Sequence, residues 1–186
     1  MIRCMDAETH FRTLFDETYP SLRRYALHRG LDAADADDLV AEVLAIVWRR
    51  LDDVPANDPL PWVFAVAGNV RRNHLRASRR RARLHARLPI APPTHLIEPA
   101  DPGSIRLRDA LRSLSETDRD VLLLVAWDGL TSQQLATALD CSAGTARVRL
   151  HRARTRLADA LGAPHPAEPH DEPATTHPLA HRGGTS

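Results

Sequence analysis

The sequence predicts an all-α protein: two small helical domains joined by a Pro-rich linker and followed by a disordered C-terminal tail. Three observations carry that prediction. Apolar residues recur at helical spacing through most of 11–161, the 14 prolines crowd into a few short stretches, and helix-start signals punctuate the second half. The 186 residues, 43% hydrophobic and 26% charged, suit a chain that buries a core and argue against wholesale disorder.

From Phe11 to Leu51 the pattern is amphipathic and helical, ending in Leu39, Val40, Val43, Leu44, Val47, Trp48 and Leu51. Asp32, Asp35, Asp37 and Asp38 precede that apolar run, as the partial positive charge at a helix start prefers. The stretch Asp52 to Pro61 holds three prolines and no periodicity, so it is expected to be a loop. A second helix starts near Trp62, with Trp62, Val63, Val66, Ala67, Val70 and Leu75 as its buried stripe.

That helix turns basic. Eight arginines, Arg71, Arg72, Arg76, Arg79, Arg80, Arg81, Arg83 and Arg87, follow with no acid among them. A charge run is ordinarily a solvated face, but eight unrelieved like charges repel one another and point to a polyanion partner such as nucleic acid. The total charge of +1 says nothing of this, because 24 carboxylates elsewhere balance 25 cations, all of them arginine.

Residues 88–103 contain five prolines and read as a linker, separating a first unit at 6–87 from a second at 104–162. Each unit is small enough to be only modestly stable alone. The second is helical by pattern. Ser115 with Asp118, Thr131 with Gln134, and Ser142 mark three helix starts, and the Asp140-Cys141 turn between the last two helices reads as a helix-turn-helix. On the last helix Ala146, Leu150, Ala153 and Leu157 share one face. The opposite face carries Gly144, Val148, His151, Arg152 and Thr155, flanked by Thr145, Arg147, Arg149, Arg154 and Arg156, a groove-sized surface of donors. The tail, 163–186, is rich in proline, histidine and alanine and is expected to be disordered.

Taken together, the segments Asp35 to Leu51, Pro61 to Arg81 and Ser115 to Leu157 occur in an order that resembles the extracytoplasmic-function (ECF) sigma factors of the sigma-70 family. The resemblance spans about Phe11 to Leu161. It implies that the first unit is a sigma-two domain, whose Asp38, Leu39, Glu42, Val43 and Val47 dock on core RNA polymerase. It further implies that the loop Asp52 to Pro61 lies where family members hold a flipped base of the minus-ten element. Asn69, Arg72, Asn73, Arg76, Arg79 and Arg80 then lie where the family reads and melts that element. Asn73 stands where many members have aspartate. The second unit resembles the sigma-four domain, with Arg147, Val148, Arg149, His151 and Arg152 at the positions that read the minus-thirty-five element and Thr145 near phosphate. Val148 replaces a commonly polar residue, and an aliphatic group there can meet a thymine methyl. Core polymerase, promoter DNA and an anti-sigma factor are the implied partners.

The competing reading is an autonomous helix-turn-helix transcription regulator, which would leave the acidic helix unexplained. An enzyme is disfavoured, because no Ser/His/Asp arrangement, glycine-rich phosphate loop or HExxH motif is present, and no cofactor is expected. His165, His170, His177 and His181 match no metal-ligand spacing, so no metal site is expected. Cys4 and Cys141 offer neither a disulfide framework nor a CxxC pair. With no apolar run near the length of a bilayer span, the expectation is a cytoplasmic protein without membrane insertion.

Overall fold

The computed structural model describes residues 2–84 and 102–162, and side chains from 7–80 and 103–162. Among the described residues there are seven α-helices and no strand. The tail and all but the last two residues of the expected linker lie outside the described residues.

The long pattern from Phe11 to Leu51 resolves into two helices. α1 spans Ile2–His28 and α2 spans Ala33–Arg49. Gly30 breaks them apart with φ 81, a left-handed conformation that costs glycine least. Asp32 then caps α2, its carboxylate accepting from the Asp35 N–H at 2.8 Å. A 3-10 turn at Leu51–Asp53 and an irregular stretch lead to α3, Leu60–Leu84, with Pro61 in its first turn, where the missing N–H has no partner to lose.

α4 (Pro102–Ser113) starts inside the span expected to be linker. α5 (Glu116–Ala126), α6 (Ser132–Ala138) and α7 (Ala143–Leu161) follow. All three expected starts are present: the Ser115 hydroxyl accepts from the Asp118 N–H, Thr131 and Gln134 form a reciprocal capping box, and the Ser142 hydroxyl accepts from the Thr145 N–H. Asp140, at φ 48, turns the chain between α6 and α7.

α1, α2 and α3 pack on one another, α4, α5 and α6 pack on α7, and α3 packs broadly on α6. Residues from both halves therefore belong to one continuous apolar cluster, from Leu14 and Leu22 through Phe64 and Val70 to Leu135 and Ala153. Tyr25 and Phe64 stack within it, centroids 5.1 Å apart. Two sequence blocks, each short of apolar area by itself, share a core.

Candidate nucleic-acid interface

α7 is built to present its polar side. Ala146, Leu150 and Ala153 are buried and Leu157 packs against the core, as their spacing predicts. This leaves Thr145, Arg147, Val148, Arg149 and Arg152 exposed in a row. Val148, 48% exposed, is the apolar member of this row, among guanidinium groups. Among the described residues, no ion pair reaches Arg147, Arg149 or Arg152, so their donors face water and are available to base edges and phosphates. His151 and Thr155 sit lower on the helix, half-buried, and Arg156 is taken by Asp118 at 2.6 Å. The reading surface is thus narrower than the ten-residue face drawn from spacing.

Along α3 the arginines divide. Arg76 and Arg80 are exposed and, with Asn73 and Arg79, line an open basic depression. Arg72 is exposed too, and its Nη2 donates to the Asn69 side-chain oxygen at 2.6 Å, which orients that carboxamide. Arg71 instead turns inward. Arg81, Arg83 and Arg87 lie outside the described side chains.

The predicted polymerase-docking residues divide as well. Asp38 and Glu42 are exposed on α2, but Leu39, Val43 and Val47 are fully buried in the core beneath them. Periodicity alone could not separate a helix face that packs from one that docks, and here the apolar stripe packs. The exposed side of α2 includes Asp38, Ala41, Glu42, Ala45 and Trp48, with Trp48 edge-on to Phe11 at 5.1 Å. Glu42 is also held by the His74 imidazole, Nε2 to Oε2 2.6 Å.

Arg29, Glu116, Asp120 and Asp128, which no sequence pattern singles out, form an ionic clasp between the two halves with Arg71 and Arg79 of the arginine run. Arg29, at the end of α1, is 1% exposed in its side chain. Its Nε donates to Asp120 Oδ1 at 3.2 Å, and its Nη1 donates to Asp128 Oδ2 at 3.2 Å and to the Tyr25 carbonyl at 3.1 Å. The same guanidinium lies 3.5 Å from the centroid of the Tyr25 ring. From α3, Arg71 donates to the other oxygen of Asp120 and stands 3.0 Å from Glu116 Oε1, an ion pair not aligned as a hydrogen bond. Arg79 reaches Glu116 Oε2 at 3.1 Å.

Burial pushes the Asp128 carboxyl above its usual range, with Arg29 pulling the other way. Burial would lower the Arg71 guanidinium, yet Asp120, Tyr25 and Glu116 together hold it above its ordinary value, so it stays charged. His28, tilted against Trp127 at 5.4 Å, is pushed down by burial.

A cleft of about 430 Å³ has one wall from α3 and its approach, with Arg50, Trp62 and Asn69, and the other from the helix-turn-helix, with Gln133, Thr137 and Cys141. Arg50 stacks toward Trp62, 5.2 Å to the ring centroid. No cluster of three or more metal-ligating side chains occurs among the described residues, and no helix there is long and apolar enough to cross a membrane.

Comparison with known proteins covers both halves. Residues 14–81 match the family Sigma-70 region 2, and residues 104–157 match Sigma-70, region 4. The ECF RNA polymerase sigma factor SigL of Mycobacterium tuberculosis is 32% identical over 151 residues, covering 76% of this chain and 83% of that one. The ECF RNA polymerase sigma factor EcfG of Rhodopseudomonas palustris is 30% identical over 150 residues, covering 76% and 80%. Among solved structures, the sigma factor RpoE from Bartonella quintana, crystallised with the anti-sigma factor NepR, matches with a TM-score of 0.64 at 27% identity, covering 82% of this chain and 96% of that one. CnrH, in complex with the cytosolic domain of CnrY, matches with a TM-score of 0.57 at 27% identity, covering 82% and 87%. With region 2 and region 4 in order on one helical body, the chain belongs to the extracytoplasmic-function sigma factors of the sigma-70 family.

Proposed function

We propose that this sigma factor confers promoter specificity on core RNA polymerase in the cytoplasm and performs no chemistry of its own. The observation that carries the reading is the pairing of two separate arginine-rich exposed surfaces, the row on α7 and the basic depression on α3, within one sigma-type chain. Arg147, Arg149 and Arg152 read base edges of the minus-thirty-five element. Val148 contacts a thymine methyl and Thr145 contacts phosphate. His151, half-buried, supports the row from below. On α3, Asn69 reads a base of the minus-ten element with its carboxamide oriented by Arg72. Asn73, Arg76, Arg79 and Arg80 neutralise phosphates and stabilise the separated strand.

Core polymerase docks on the exposed side of α2, through Asp38 and Glu42 with Trp48 as the apolar anchor, a small charged and aromatic patch of the kind interfaces favour. Leu39, Val43 and Val47 hold that helix in place from within. RpoE and CnrH were each crystallised with an anti-sigma protein, and a partner of that kind is proposed for this chain as well.

The test is transcription by purified bacterial core polymerase on genomic DNA fragments, with core alone as control. Discrete new start sites, with a shared motif upstream, are the expected result. If core gains nothing while the protein alone footprints specific DNA, the chain is an autonomous regulator and the polymerase reading falls.

A further inference from the structure

We propose that Asp118 and Arg156 are positioning residues for DNA reading: their ion pair sets the roll of α7 about its own axis and so decides where Arg149 and Arg152 meet base edges. The inference rests on the assignment of the α7 row to the minus-thirty-five element, and it adds to that site two residues that do not themselves touch DNA.

Spacing alone marks Arg156 as one more donor of the row. It follows Arg149 and Arg152 at i, i+3 and i+7, which places the three on one side of the helix. The structure turns it to α5 instead. Arg156 Nη1 donates to Asp118 Oδ2 at 2.6 Å, and the aspartate side chain is 11% exposed against 57% for the arginine. Asp118 is held in turn from its own helix. The Ser115 hydroxyl donates to the same carboxylate oxygen at 2.6 Å and accepts the Asp118 N–H at 3.1 Å. The partner that Arg156 finds is thus a fixed, half-enclosed charge at the start of α5.

The apolar face of α7 leaves the roll to be settled. Of its three buried residues, Ala146, Leu150 and Ala153, two are alanine. Methyl groups let the helix sit close, but they offer little relief to interlock with the ridges of a neighbour, so they resist separation better than rotation. Arg106 of α4 holds the far end by donating to the Leu161 carbonyl at 3.2 Å. A backbone group lies only about 2 Å from the helix axis and gives a short lever against roll. Arg156, acting at the tip of a long side chain, gives a long one.

Roll matters because base reading is geometrically strict and phosphate contact is not. With a guanidinium roughly 8 Å from the axis, a roll of about 20° carries it about 3 Å, the length of a hydrogen bond. A bidentate contact to a guanine edge does not survive such a shift. A charge near a phosphate tolerates it, since Coulomb attraction falls slowly with distance. Loss of the pair is therefore expected to blunt sequence discrimination while sparing sequence-independent binding.

The test uses the full-length chain with core polymerase and two duplexes, one carrying the upstream element that its mapped start sites share, the other identical but with that element scrambled. Arg156→Met keeps the aliphatic stem and removes the donor, and Asp118→Asn keeps the shape and removes the charge. In each, the ratio of affinities for the two duplexes is expected to fall about ten-fold, with binding to the scrambled duplex changed by less than about two-fold and the salt dependence unaltered in slope. The double variant is expected to lose no more than either single one, as partners in one contact do. An unchanged ratio in both variants overturns the proposal. So does equal weakening on both duplexes, which is what simple loss of fold produces, and so does tighter binding of Asp118→Asn to both, which is what removing a negative charge does by itself. A salt slope shallower by about one in Arg156→Met overturns it too, by making Arg156 a phosphate contact. If the unsubstituted protein with core binds both duplexes alike, the minus-thirty-five reading itself falls, and that result is seen before any substitution is made.

Discussion

The two arginine-rich helices, α3 and α7, look alike as sequence and are used differently. On α7 the arginines at 147, 149 and 152 project into solvent over a floor of small apolar residues, and Ala146 and Ala153 let the helix sit close to its neighbours. On α3 the run is split, with Arg71 buried in an ionic network, Arg79 paired with Glu116, and Arg72 bonded to Asn69. An arginine's role is thus set by what the opposing element offers. A facing carboxylate converts a solvent-type arginine into a structural one, and α5 supplies two such groups, Glu116 and Asp120, with Asp128 two residues beyond its end.

Substitutions can break that contrast. The largest effect is expected at Arg71→Ala, which leaves Asp120 with Arg29 as its one remaining cation and Glu116 with Arg79. Stripping one member from a buried pair costs about 3–5 kcal/mol, and about 3 kcal/mol is expected here because the Glu116 side chain keeps 30% exposure. Urea unfolding checks it, and a loss below about 0.5 kcal/mol would put Arg71 in the same class as the solvent-facing arginines of α7.

Arg152→Ala is the mirror case. It should leave unfolding unchanged while weakening binding to minus-thirty-five duplex by about 1–3 kcal/mol, and core binding far less. Equal loss of DNA and core binding would mean that the substitution disturbs the fold.

Ser142→Ala tests whether α7 needs its cap to hold the row in register. About 1 kcal/mol of stability should go with the lost hydroxyl acceptor, with the Thr145 N–H left to water. Thermal unfolding followed by dichroism is the check, and no change would make the tight turn at Asp140 sufficient by itself.

The smallest expected effect concerns protonation at the contact between the halves. His28 lies between Trp127, Asp128, Arg24 and Arg29, and burial lowers its pKa from 6.5. The folded state therefore binds fewer protons than the unfolded one, so its contribution is complete above pH 6.5 and is lost as pH falls through the depressed value. Asp128 acts in the opposite sense at lower pH, its raised carboxyl favouring the protonated folded form. His28→Gln should flatten the stability profile just below pH 6.5, and a profile with the same slope would assign that titration elsewhere.

Much of this was readable from residues. Ser115, Thr131 and Ser142 announced their helices because a cap is a local device, settled within four residues. The core face of α7 followed from 3.6-residue spacing. Apolar spacing from Phe11 to Leu51 runs through the break between α1 and α2, which is marked instead by Gly30 followed by Asp32, a stop and a start in the space of three residues. Resemblance assigns the stripe of α2 to docking, and burial shows that Leu39, Val43 and Val47 serve the interior. No pattern separates the two roles, since an apolar stripe is equally suited to its own chain or to another's.

What the sequence determined by itself was local: helices, their caps, the apolar faces, and the family, all of which depend on neighbours three or four places apart or on motifs in order. The tertiary structure alone decided the joining of the halves. Arg29 meets Asp120 and Asp128 across separations of 91 and 99 residues, and Arg71 meets Asp120 across 49. No local periodicity encodes such distances. Which arginines meet a carboxylate was fixed only when α3 came to rest against the half that carries α5 and α6, because an ion pair has no preferred sequence spacing, only a preferred distance in space.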